Sequence, residues 1–166
     1  MIRRVKLEDA NKIVEIYNHY ILNSTVTFEE TPIDVLEIKN RIQSITPNFP
    51  WIVYESEGQI LGYAYANKWK PRHAYKNTVE STIYLKRNET KRGIGSILLG
   101  ELIKLLADMN FHAVIGGIAL PNKPSVRLHE KLGFEKAAHF KEIGFKFEKW
   151  IDVEYWELII ENFRET

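Results

Sequence analysis

TVESTIYLKRNETKRGIGSILLGELIKLL, residues 78–106, decides how this chain is read. Its opening run, Thr78–Leu85, is rich in β-branched and aromatic residues and predicts a strand. A short polar link from Lys86 to Lys91 carries surplus positive charge. From Arg92-Gly93-Ile94-Gly95-Ser96 onward, apolar residues at Ile94, Ile97, Leu98, Leu102, Leu105 and Leu106 lay one stripe along a helix. A strand, a basic glycine-bearing loop and a helix N-terminus make an anion site. The first N–H groups of a helix lack internal partners, and the helix dipole adds partial positive charge there. Gly93 and Gly95 leave those amides uncovered, and Lys91 and Arg92 add formal charge. An ordinary strand-to-helix turn with two glycines is the bland alternative. Neither G-x-x-x-x-G-K-[ST] nor G-x-G-x-x-G occurs, so triphosphate and dinucleotide signatures do not account for the loop.

Outward from this stretch, the spacing predicts a strand over residues 2–6 and a helix from Glu8 to Leu22. A loop or extended segment follows over residues 23–30, then a helix opened by Thr31-Pro32 and running to about Ser44. Trp51–Ser56 and Gln59–Asn67 predict two strands around Glu57-Gly58. Trp69–Lys76 is a mixed aromatic and basic loop. After the central helix, closed near Asn110, His112–Leu120 predicts a buried strand, with Gly116-Gly117 as a bulge or a close backbone approach. Pro121–Ser125 leads into a short helix ended by Gly133. Phe134–Phe140 and Phe147–Ile160 predict the last strands. The order βααβββαβαββ indicates one α/β domain with a mixed sheet, spanning residues 1–166.

Composition narrows the function. The chain has 166 residues, 45% hydrophobic and 27% charged, which suits one globular domain with a substantial core. Lys plus Arg number 23 against 22 Asp plus Glu, a net charge of +1 that argues against a general nucleic-acid-binding surface. The absence of cysteine excludes disulfides, thiolate zinc sites and thiol nucleophiles. His19, His73, His112 and His139 show no metal-ligand spacing, so no metal is expected. No stretch approaches membrane-spanning length, and the cytoplasm is the expected compartment.

Glu80 is the one charge inside the strand run. On alternation it shares a face with Thr82 and Tyr84, opposite Val79, Ser81, Ile83 and Leu85. It is either a solvated or lysine-paired strand glutamate, or a general base whose pKa rises as the site excludes water. His129, on the short helix, is either half exposed or a proton-handling group. Trp69, Tyr63, Tyr65, Tyr75 and Phe28 serve either core or cleft. Lys70, Arg72 and Lys76 beside Trp69 and Tyr75 suit a small carboxylate- or phosphorus-oxyanion-bearing ligand, unless the loop is simply solvated.

Taken together, several segments resemble the GNAT superfamily of N-acetyltransferases, and within it the phosphinothricin and methionine sulfoximine acetyltransferase group. They are Thr27–Pro32, Gly62–Ala64, Trp69–Arg72, Thr78–Leu85, Arg92–Ser96, Leu120–Phe134 and Gly144–Lys146. The resemblance covers nearly the whole chain. It implies a mostly antiparallel mixed sheet, splayed at its central strands and flanked by helices. It implies acetyl-CoA as co-substrate, with the pantetheine arm along Ile83-Tyr84-Leu85, the phosphates on Lys91, Arg92, Gly93, Ile94, Gly95 and Ser96, and a further contact at Asn122. Glu80 matches the general base and His129 a histidine with a supporting role. Lys70, Pro71 and Arg72 match the loop that holds an amino-acid substrate, and Phe28 and Tyr75 are counted with it. One departure is Thr90, where the superfamily has Gln or Arg; Lys91 and Arg92 compensate in charge. Another is Lys6, where relatives often have a helix-capping residue.

The resemblance implies acetyl transfer to the α-amine of a small amino-acid-like substrate, by direct attack in a ternary complex, in a homodimer that binds neither nucleic acid nor membrane. Trp150, Tyr155 and Trp156 are candidates for the interface and equally for the core. The competing readings are an acetyltransferase for a protein N-terminus or a polyamine, and a non-catalytic acyl-CoA-binding module.

Overall fold

The computed structural model describes residues 1–89 and 93–161. Seven strands, β1 (Ile2–Arg4), β2 (Trp51–Ser56), β3 (Gln59–Lys68), β4 (Thr78–Leu85), β5 (Ala113–Ala119), β6 (Glu135–Lys146) and β7 (Lys149–Ile159), form one sheet in the order β1-β2-β3-β4-β5-β7-β6. Four helices, α1 (Ala10–Asn23), α2 (Val35–Ile45), α3 (Ile94–Asp108) and α4 (Lys123–Lys131), cover its two faces. Every neighbouring pair of strands is antiparallel except β4 and β5. Parallel neighbours need a crossover, and α3 supplies it.

Alternation along the strands divides the core in two. Ile52, Leu61, Ala64, Val79, Val114 and Leu158 pack against Leu98, Leu99, Leu102 and Leu106 of α3. Trp51, Val53, Ile60 and Tyr63 pack against Ile13 and Ile16 of α1 and Ile38, Ile42 and Ile45 of α2. The adjacent residues Ile52 and Val53 thus serve opposite cores, as a period of two requires.

The sheet is split where its direction changes. β4 and β5 pair only from Thr78–Ala113 to Ser81–Gly116, yet β4 continues to Leu85 and β5 to Ala119. Beyond Ser81 the strands are no longer paired, which is the splayed centre that the resemblance implies.

The structure moves three boundaries of the sequence expectation and decides one open alternative. β1 stops at Arg4 because the Asp9 carboxylate accepts the Lys6 N–H at 2.7 Å and both outer nitrogens of Arg3, folding Leu7–Asp9 into a 3-10 turn before α1. α2 begins at Val35, not at Thr31-Pro32. The Asn18 side chain bonds both backbone groups of Ile33 (2.8 and 3.0 Å), and Asp34 then caps the helix by accepting the Glu37 N–H at 2.8 Å. β6 runs on to Lys146, and Phe147 is a turn residue, because Phe147 and Glu148 take positive φ of 52° and 58°. Non-glycine residues in that region leave no mark in the sequence. Finally, Gly116-Gly117 is a close approach and not a bulge: the β5–β7 register passes through both without a slip.

Candidate active site

The split opens a cleft of about 590 Å³ between the end of β4, the start of α3 and α4. One wall is the free edge of β4. Lys86 N–H donates to Leu61 C=O at 2.8 Å in register with the β3–β4 ladder. Antiparallel alternation therefore turns the backbone groups of Tyr84 and Thr82 toward β3 and those of Ile83 and Leu85 toward the cleft. The Leu85 carbonyl confirms that direction: it accepts a hydrogen bond from the Tyr20 hydroxyl at 2.7 Å, from the far end of α1. The expected three-residue contact strip is thus two residues on the open edge, with the Tyr84 backbone committed to β3. The Tyr84 ring packs against Tyr17 and Tyr20, both at 5.1 Å between centroids, and burial pushes its phenol up.

At the second wall α3 begins. Gly93 caps it with φ 75°, a left-handed conformation, and a Cβ there would meet nothing within 4 Å. The first bond of α3 runs from Ile97 N–H to Gly93 C=O, so the amides of Ile94, Gly95 and Ser96 have no partner within the helix. Gly93, Gly95 and Ser96 line the cleft, and Ile94 points into the core. Thr90, Lys91 and Arg92 lie outside the described residues. Across from α3, Asn122 caps α4 by accepting the Ser125 N–H at 3.2 Å, which leaves its amide NH2 at the cleft.

Glu80 lies at the floor, where β4 and β5 part. Its carboxylate faces the α1 side of the sheet, with Oε1 against Gly117. Among the described residues it makes no hydrogen bond. Burial raises its pKa, and the Lys70 ammonium draws it back down. Lys70 rests over the Trp69 ring at 4.7 Å, and Trp69 meets the edge of Tyr155 at 5.4 Å. Tyr155 closes this corner: its ring lies on Gly117, and burial together with the Glu80 charge raises its pKa.

Of the two alternatives for His129, half exposure does not hold. It is buried, its Nδ1–H donates to the Ser125 carbonyl at 2.8 Å, and its ring stands edge-on to Phe134 at 4.8 Å. Since a backbone carbonyl only accepts, Nδ1 carries the proton, and burial lowers the pKa and keeps the ring neutral. A Cβ at Gly116 would overlap Nε2 of this imidazole. Gly116 faces the α3 side of the sheet and Gly117 the α1 side. His129 and Glu80 therefore reach the split from opposite faces.

Of the substrate-loop candidates, Lys70 is the one whose charge acts on Glu80. Pro71, Arg72 and Tyr75 stand exposed on the same loop, and Arg72 precedes the 3-10 turn His73–Tyr75. Phe28 sets the tip of its ring against Gly144, where any side chain would collide with it. Its segment is tied down by Lys146, which is fully buried and donates to the Thr27 carbonyl at 2.8 Å, and by the Thr27 hydroxyl, 2.9 Å from Tyr17. Sequence reasoning assigned no role to Tyr20 or Lys146 and left Tyr155 between core and interface. The paired Gly116-Gly117 was the one local signal of a close approach here. Trp156 is core, with its indole N–H on Glu154, and Trp150 is exposed. Among the described residues no group of three or more His, Asp or Glu is arranged to hold a metal ion, and no helix is long and apolar enough to cross a membrane.

A family model described as an acetyltransferase (GNAT) domain matches residues 2–155. A phosphinothricin N-acetyltransferase of Streptomyces viridochromogenes is 40% identical over 94% of this chain and 85% of its own length. An L-methionine sulfoximine/L-methionine sulfone acetyltransferase of Pseudomonas paraeruginosa is 30% identical over 99% of this chain and 97% of its own. Among solved structures, a GNAT superfamily phosphinothricin acetyltransferase from Sinorhizobium meliloti, in complex with acetyl-CoA, superposes with a TM-score of 0.93 at 36% identity, covering 96% of this chain and 87% of that one.

Proposed function

Because the chain belongs to the GNAT acetyltransferase family, we propose that it moves an acetyl group from acetyl-CoA to the α-amine of a small amino acid of the phosphinothricin, methionine sulfoximine or methionine sulfone type. The observation that carries this reading is the desolvated Glu80 carboxylate at the floor of the split, with the Lys70 ammonium beside it. The relatives' names support the acceptor class.

The residues present suit acetyl-CoA. The uncovered amides of α3 at Gly93–Ser96 hold pyrophosphate, the open edge of β4 at Ile83 and Leu85 holds the pantetheine arm, and the free NH2 of Asn122 faces the same cleft. Acetyl-CoA supplies an acyl group already activated as a thioester. The protein's task is then to free the acceptor amine and hold it in line. Glu80 takes the proton from the acceptor ammonium, directly or through a water. Its raised pKa makes it a better base than an exposed glutamate. Lys70, with Arg72 further along the loop, holds the acceptor's carboxylate or tetrahedral polar group. The cleft-facing N–H groups of Ile83 and Leu85 stabilise negative charge that develops on the acyl oxygen. With no cysteine, the protein has no thiol to carry the acetyl group, which favours direct transfer. We assign His129 a supporting role, propping α4 on the backbone of Gly116.

We also propose that the active form is a homodimer. β6 is an edge strand, and its hairpin with β7 exposes Phe140, Ile143, Phe145, Phe147 and Trp150, with Phe145 and Trp150 in contact at 4.8 Å. A second copy covering this apolar edge removes it from water. Sedimentation of Trp150→Lys against wild type checks this; a monomer in both refutes it.

The deciding assay is CoA-thiol release from acetyl-CoA with phosphinothricin, methionine sulfoximine, methionine sulfone, ordinary amino acids, spermidine and a short peptide. The protein adds no thiol background. Fast release with the tetrahedral analogues is expected. Release only with spermidine or peptide overturns the acceptor class.

A further inference from the structure

α1 and α2 cover only part of their sheet face. Among the described residues, their core takes its strand members from β2 and β3, with the Tyr84 ring of β4 against it, and none from β5, β6 or β7. Farther along, side chains from two loops stand on that face instead. Trp69 meets the ring of Tyr155, and the tip of Phe28 rests on Gly144. Gly117 and Tyr155 are cross-strand partners here, and Glu80 lies next to them near the end of the β4–β5 pairing. On its α1 side the split therefore opens onto a corner walled by aromatic rings.

Tyr155 is held at this corner from three sides. Its ring stands edge-on to Trp69 at 5.4 Å and to Phe140 at 5.8 Å, and its Cε1 lies 3.2 Å from the place a Cβ would take on Gly117. Oε1 of Glu80 lies 3.3 Å from that same point. Carboxylate and phenol thus flank one small space that only glycine leaves open. Neither group makes a hydrogen bond among the described residues. Packing is the plain explanation for Tyr155, but phenylalanine would pack as well. The hydroxyl is also more than a solvated tip, because burial and the Glu80 charge raise its pKa and keep it protonated. A carboxylate that accepts and a phenol oxygen that both accepts and donates are what an amine with several N–H groups requires.

We propose that the Tyr155 hydroxyl holds the acceptor nitrogen, accepting one of its N–H groups while Glu80 takes the proton from another, and so keeps the nitrogen in line with the thioester carbonyl. This rests on the acetyl-transfer reading above. Of the three protons on the acceptor ammonium, Glu80 takes one and the departing CoA sulfur takes the second as the N–C bond forms and the C–S bond breaks. The third, on Tyr155, stays in the amide. Tyr155 itself changes protonation at no step, so its contribution is orientation.

Tyr155→Phe keeps the ring between Trp69 and Phe140 and removes only the hydroxyl. Steady-state CoA release with methionine sulfoximine as acceptor, at pH 7 and pH 9, tests it. The variant is expected to lose about tenfold in kcat/KM for the acceptor, with the acetyl-CoA KM unchanged. Because orientation and not deprotonation is lost, the deficit is expected to be the same at both pH values, whereas that of Glu80→Gln shrinks as the amine becomes free. A kcat/KM within twofold of wild type overturns the proposal. So does a deficit that shrinks at pH 9, which would make the hydroxyl part of the proton transfer, and so does an equal rise in the acetyl-CoA KM, which would mark a packing defect. If wild type releases CoA with none of the acceptors in the panel above, the acetyl-transfer reading itself fails, and this proposal with it.

Discussion

Replacing Glu80 by Gln keeps the size of the side chain and removes its basicity. In the wild type the carboxylate is largely desolvated, so its pKa is raised, and the Lys70 charge opposes that shift. The α-ammonium of a free amino acid, with a carboxylate beside it, titrates above the value of about 8 for a chain N-terminus and is mostly protonated at pH 7, so a positioned base is needed there. General bases contribute roughly 10²–10⁴-fold. We expect kcat/KM to fall about 100-fold or more at pH 7 and progressively less toward about pH 10, as more of the amine is already free. Stability should move the other way. A carboxylate whose pKa is raised on folding binds more protons in the native state than in the unfolded one. Its contribution to stability therefore declines as pH rises from the unfolded pKa through the folded one. Above that window Glu80 is a net cost, so Glu80→Gln should have the higher Tm at pH 7 and lose the difference in acid. Steady-state kinetics from pH 6 to 10 alongside thermal melts make the measurement. A pH-independent loss below twofold removes Glu80 from the role of base, and a Tm that falls at pH 7 contradicts its desolvation.

Gly93→Ala forces a side chain into the left-handed cap and toward the phosphate cradle without a clash in the protein. Calorimetry should show a stability loss of about 1 kcal/mol with weakened acetyl-CoA binding, and unchanged binding would move the phosphates elsewhere. Gly116→Ala drives a methyl into His129 and should cost about 1–3 kcal/mol in denaturant unfolding. His129→Ala in the same chain should recover part of that loss; if it does not, the two residues are not in contact. Lys146→Met keeps the buried shaft but frees the Thr27 carbonyl, so the Phe28 segment should loosen. We expect faster amide exchange over residues 25–33 and a raised acceptor KM with the acetyl-CoA KM unchanged, while equal exchange would show that Lys146 does not hold this segment.

Much of the fold was legible because it is written in local periodicity. β4 begins and ends where the β-branched run predicts, and α3 buries Ile94, Leu98, Leu102 and Leu106 of the expected stripe while leaving Ile97 exposed. The glycine loop was legible for the same reason, since a helix start is a local event. Misreadings occurred where a distant partner overrides a local signal. Thr31-Pro32 is a good helix start, but Asn18 holds Ile33 outside the helix and leaves the cap to Asp34. Phe147 has a strand former's side chain and sits in a turn, since closing the hairpin in register outweighs its propensity.

The sequence by itself determined the order of elements, a helix start at the glycine pair that opens α3, the absence of any thiol in the protein and Glu80 as the one charge in its strand. Each depends on neighbours within a few turns or residues of the chain. Tertiary structure alone decided that β4 and β5 part after Ser81, that Glu80 and His129 approach the split from opposite faces, that the Tyr20 hydroxyl reaches Leu85, and that Lys146 is buried under Thr27. These follow from strand register and helix docking, which join residues tens of positions apart. Local propensity is blind to both, because the energies that set them arise only once the two cores close on the sheet.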